Sequence, residues 1–124
     1  MHKNIFHTSS ASVYPEIYTI YSTDSRQADA FLNILDYDEI TVISTQAIES
    51  YRHKSENWIR ISIFIDVPPE STWIAAMITS EFAKSDISIV PVASFSKAHI
   101  FVKKSDRDWA IQCLKDLGIE DITL

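Results

Sequence analysis

The chain has 124 residues, 46% apolar and 23% charged, with a formal net charge of −6; this composition fits one globular body or two half-sized subdomains sharing a core, and excludes a disordered or membrane-embedded chain. A single glycine, Gly118, excludes glycine-rich phosphate loops and dinucleotide fingerprints, whose backbone must approach phosphate closely at several positions. Acidic and basic residues are mixed along the chain, so no cluster of lysines and arginines offers a nucleic-acid surface.

The N-terminal "MHKNIFHTSSASVYPEIY" lacks the apolar core of a signal peptide. No apolar run approaches the ~18 residues of a membrane span. Cys113 stands alone, so no internal disulfide can form, and a cytoplasmic location is the default expectation. A strand is expected near 17–21, a helix near 25–35 and a strand over 39–44, followed by a polar linker, "ESYRHKSEN". In "WIRISIFIDV" the residues Ile59, Ile61, Ile63, Ile65 and Val67 alternate with Trp58, Arg60, Ser62, Phe64 and Asp66, the signature of a strand with one wholly apolar face.

After Pro68 and Pro69, "STWIAAMITSEFAKSD" places Ile74, Met77, Ile78 and Phe82 on one helical stripe, with proline at the helix start where a missing N–H matters little. Two β-rich runs, "ISIVPVASF" and "KAHIFVKK", meet at "SFSK" in a tight connection. Ser105 or Asp106 can cap a helix carrying Trp109, Ala110, Cys113, Leu114 and Leu117 on its apolar side; Gly118 then supplies a left-handed C-cap and "EDITL" a final strand.

An ungapped shift that lays Asp24 on Asp106 also lays Ala28 on Ala110, Leu32 on Leu114, Leu35 on Leu117, Ile40 on Ile122 and Thr41 on Thr123. The matched positions are those a βαβ unit needs, and we read a duplication of that unit. From Trp58 onward the order is βαββαβ, which with right-handed crossovers gives an α+β, ferredoxin-like sandwich with both helices on one sheet face. Two subdomains are expected, 1–57 shorter and 58–124 complete.

Chemistry-bearing patterns are sparse. His2, His7, His53 and His99 share no metal-ligand spacing, and neither CxxC nor HExxH is present, so no metal or other cofactor is expected. Cys113, on the apolar side of its helix, reads as inert core. No nucleophile has a base and orienting group beside it in a recognisable motif, so no catalytic residues are assigned. Trp58, Trp73 and Trp109 read as packing or interface residues, and Phe95 as a core plug or a ligand contact. The alternating positions Arg60, Phe64, His99, Phe101 and Lys103 bear a faint likeness to a base-stacking RNA surface, against which stands the acidic charge.

The pieces "EITVIS", "WIAAMITSEFAKSDISI" and "SFSKAHIFV", in this order and at these distances, resemble the ACT domain, in particular the divergent tandem branch of small bacterial proteins and cytosolic arginine sensors. The resemblance implies tandem ACT-like subdomains that form a regulatory, non-catalytic module binding a small molecule, commonly an amino acid, where the first strand meets the first helix. On this sequence that junction is Asp66, Val67, Pro68, Pro69, Glu70, Ser71 and Thr72, and the facing turn is Ser94, Phe95 and Ser96. A helix start there would favour a carboxylate, and Asp66 or Glu70 an ammonium. The resemblance also implies a homodimer, with any regulated effector a separate protein; the charge pattern and hydropathy speak against nucleic acid and membrane as partners. The competing reading is a ligand-free interaction or dimerisation module, with RNA binding and catalysis behind it.

Overall fold

The computed structural model describes the backbone of residues 2–68, 71 and 73–124, with side chains from residue 5 on. The chain divides into two compact units, one formed by residues 1–15 with 59–124 and the other by 16–58.

The larger unit is built on the alternating isoleucines. Strand β5 (His53–Phe64) contributes its second half, and Ile59, Ile61 and Ile63 are buried in one apolar cluster. Helix α1 (Trp73–Lys84) buries Ile74, Ile78 and Phe82, four residues apart and hence on one face, against that cluster. Helix α2 (Arg107–Leu117) adds Ala110, Cys113, Leu114 and Leu117 to the same core. Each such fully buried aliphatic or aromatic side chain contributes about 1.5–3 kcal/mol of transfer free energy.

Strands β6 (Ile89–Ala93) and β7 (Lys97–Lys103) pair antiparallel, and β7 pairs with β5. Pro91, which has no N–H to give to a ladder, sits in β6 at the edge of this sheet, the position where a strand tolerates proline. On the other side of β5 the order departs from the simple βαββαβ reading. A short N-terminal strand, β1 (Ser10–Val13), lies antiparallel to β5, and the last strand, β8 (Asp121–Thr123), pairs parallel to β1. The larger unit is thus discontinuous in sequence, completed by a strand from the N-terminus whose Ala11 and Val13 are buried.

The smaller unit is antiparallel throughout: β3 (Leu32–Leu35), β4 (Ile40–Ser44), β2 (Tyr18–Thr23) and the first half of β5. Here the expected helix over 25–35 does not form. Leu32 to Leu35 instead pair residue by residue with Ile43, Val42, Thr41 and Ile40 of β4, whose β-branched side chains suit a pleated surface. The preceding loop is closed by one amide: Gln27 N–H donates to Asn33 Oδ1 (2.8 Å) and Asn33 Nδ2 donates to Gln27 O (2.9 Å). The two copies of the sequence repeat therefore adopt different structures, β2, loop, β3 and β4 for the first and β7, α2 and β8 for the second.

The expected linker is also strand from His53 on. His53, Lys54 and Ser55 pair with β2, and a bulge between Tyr18 and Ile20 places one extra residue on β5. Asn57 there has φ 68, a left-handed conformation that asparagine adopts more readily than most residues. Arg52, which precedes the strand, is ion-paired with Asp24.

Candidate functional site

Strand β5 ends and turns toward α1 through Ile65, Val67 and Pro68. Val67 N–H donates to Ile65 O (2.9 Å) and Ser71 N–H to Pro68 O (3.0 Å), folding the segment tightly before the helix begins. Opposite it, the β6–β7 hairpin closes with Ser94 N–H donating to Lys97 O (2.9 Å), leaving Phe95 and Ser96 at its tip. Between the two lies a cleft of about 270 Å³.

Six of the residues expected at the junction and turn line this cleft: Val67, Pro68, Ser71, Ser94, Phe95 and Ser96. Asp66 is exposed and is not part of the lining. Pro69, Glu70 and Thr72 lie outside the described residues. The remaining walls are Ile65, Ile74, Ala75, Ala93, Lys97 and Ala98. Sequence reasoning missed these because Ile65 and Ile74 satisfy the core periodicities, while the alanines carry no chemistry. Lys97 closes the tight turn "SFSK", and that was the one signal available for it.

The lining is mostly aliphatic, and Lys97 is its only charged member among the described residues. Phe95 is 84% exposed, so it is not a core plug; it stands at the rim of the cleft. The start of α1, with Ile74 N–H reaching Ser71 O at 3.4 Å, directs the positive end of the helix toward the Ser71 side. Such a surface can take a molecule with an apolar body and a small polar head.

Behind the hairpin, His99 is buried at 6% exposure and held between Ser62 and Ser94. Burial, followed by the positive charges of Arg60 and Lys97, pushes its pKa below the ordinary 6.5. Cys113 is buried, and burial pushes its thiol pKa up, as suits an inert core residue. No group of three or more metal-ligating side chains occurs among the described residues.

The family model for the ACT domain matches residues 54–116, from the first half of β5 to the end of α2. The chain belongs to the ACT domain family. Its strand–helix junction and β6–β7 hairpin are both inside the matched ACT segment. No curated protein matches the sequence. Solved structures are similar over nearly the whole chain: a protein from Agobacterium tumefaciens (17% identity, TM-score 0.77, 94% of this chain and 92% of that one) and a protein of unknown function from Vibrio cholerae (16%, 0.74, 94% and 95%). The ligand-free regulatory subunit of aspartate kinase from Thermus thermophilus is similar at 7% identity and a TM-score of 0.62, over 87% of this chain and 96% of that one. At these identities the likeness extends to the fold, a mixed α/β arrangement of a largely antiparallel sheet and two helices.

Proposed function

We propose that this ACT protein is a non-catalytic regulatory module whose cleft binds a small molecule with an aliphatic body and a zwitterionic or anionic head, an apolar amino acid being the best fit. The observation that supports this reading is the coincidence of the cleft with the strand–helix junction and the hairpin turn. A carboxylate would lie between Lys97 and the start of α1. The aliphatic walls, Ile65, Val67, Ile74 and Ala75 among them, would receive the side chain. A regulatory subunit of aspartate kinase with the same fold supports the regulatory role. By the same reading the module is cytoplasmic and pairs with a second copy to act on a separate effector protein; Phe95, exposed at the rim, is a natural contact for such a copy.

Differential scanning fluorimetry with the twenty amino acids tests the ligand. At about 100 times its dissociation constant a ligand adds about 2.7 kcal/mol of stability, and the shift is expected for L-leucine and its aliphatic neighbours. Ala75→Trp, which fills the cleft from the exposed face of α1, should abolish that shift without lowering the unliganded melting temperature by more than the usual effect of a surface substitution. A panel with no shift, or a shift that survives Ala75→Trp, would move the function elsewhere. Light scattering showing only a 14.2 kDa species would remove the second copy.

A further inference from the structure

On the sheet face opposite the isoleucines, a line of polar side chains leads to the cleft. Arg60 lies over the Tyr14 ring, 3.9 Å from its centroid, and its Nη1 donates to Ser62 Oγ at 2.9 Å. Ser62 Oγ is 2.7 Å from His99 Nδ1, and His99 Nε2 is 3.0 Å from Ser94 Oγ. Ser94 Oγ in turn donates to Lys97 O at 3.3 Å. Ser94 is a wall of the cleft.

A guanidinium can only donate, and among the described residues the buried Ser62 hydroxyl has His99 Nδ1 as its one placed acceptor. Ser62 accepts from Arg60 and passes its own proton to Nδ1. A neutral imidazole with Nδ1 accepting must carry its proton on Nε2, which donates to Ser94. Ser94 then gives its proton to Lys97 O. The opposite tautomer would leave the Ser62 proton without this acceptor and draw the Ser94 proton away from Lys97 O.

We propose that His99 is a positioning residue of the cleft: as the Nε2–H tautomer it fixes Ser94 as a hydrogen-bond acceptor there, so that the cleft selects ligands bringing an N–H donor to this turn. A hydroxyl has one donor and two lone pairs. The donor is on Lys97 O and one lone pair is on His99, which leaves the second lone pair for a ligand ammonium or amide. A carboxylate at this point would face a hydroxyl whose proton is already engaged, and is directed instead to Lys97. The head of the ligand is thereby oriented, nitrogen toward Ser94 and carboxylate toward Lys97. This rests on the reading of the cleft as a ligand site, whereas the tautomer of His99 can be observed without any ligand.

Two measurements on the full chain decide it. Long-range proton–nitrogen correlation spectra of the ¹⁵N-histidine protein, with His99 assigned from a His99→Leu spectrum, should show at neutral pH a protonated Nε2 and a bare Nδ1. A proton on Nδ1, or averaging between the two tautomers, would overturn the proposal. Calorimetry then compares L-leucine with 4-methylpentanoate, which has the same carbon frame and carboxylate but no ammonium. Wild type should prefer leucine by about ten- to hundredfold, the equivalent of one charge-assisted hydrogen bond.

That preference should vanish in Ser94→Ala and in His99→Leu, and largely return in His99→Gln, whose amide nitrogen can stand in for Nε2. A preference undiminished in Ser94→Ala would overturn the proposal even if His99→Leu fails to fold. Failure of wild type to bind either acid would overturn the ligand selection and the cleft's proposed function together, while the Nε2–H tautomer, if seen, would keep the relay itself.

Discussion

Gly118 ends α2 at φ 107, with its N–H bonded to Leu114 O and Lys115 O, and this C-cap was legible because a lone glycine after an amphipathic stripe has few other uses. Cys113 was legible for the same kind of reason, its place on the stripe. His99 was not. One histidine in an alternating strand carries no partner in the sequence, and Ser62 and Ser94 lie 37 and 5 residues away from it. Its titration makes a prediction about stability. Burial first, then Arg60 on β5 and Lys97 on its own strand, hold the folded imidazole neutral below the ordinary 6.5. The unfolded chain takes up a proton as pH falls through 6.5 and the folded chain does not, so stability is full above that value and declines below it until His99 itself charges. Urea midpoints measured between neutral and mildly acidic pH should therefore fall more steeply for wild type than for His99→Gln. Parallel curves would show that His99 contributes nothing to the acid response.

Elements of the larger unit were legible wherever an apolar period was long. The isoleucine alternation gave β5 and the stripe from Ile74 to Phe82 gave α1, because a fully apolar face has to be buried and only one period buries it. The segment 25–35 failed for the opposite reason. Phe31, Leu32 and Leu35 fall at helical spacing, but a helix there would compete with a ready partner, the β-branched strand β4, and with the Asn33 side chain, which satisfies Gln27 as a backbone turn would. Asn33→Ala removes both hydrogen bonds to Gln27, leaving its N–H dependent on water and its carbonyl with the Ala30 N–H alone (3.2 Å). A loss of about 1–2 kcal/mol is expected, localised so that the amides of Leu32 to Leu35 exchange faster with deuterium while those of α1 and α2 keep their protection. Uniform acceleration across the chain would instead place the loop in the global folding unit.

At the scale of the whole chain the sequence repeat was real as a pattern and misleading as a plan, since matching residues settled into β3 in one copy and α2 in the other. Connectivity was the part least visible. "SASV" is only four residues long, too short for a period to stand out, yet as β1 it lies between β5 and β8. A division between residues 57 and 58 therefore falls inside β5 and separates the C-terminal elements from one of their own strands. The consequence can be measured on a fragment of residues 58–124. Without β1, β8 has no strand partner among the described residues, and the edge of β5 that carries Ile61 and Ile63 loses the strand bearing Ala11 and Val13. Three paired residues in β8 cannot hold a strand in place by themselves. The fragment is expected to unfold without a cooperative urea transition, and a peptide spanning residues 5–15, added in excess, to restore one by occupying the gap between β5 and β8. A cooperative transition in the fragment alone would mean that the N-terminal strand decorates this ACT unit and does not complete it.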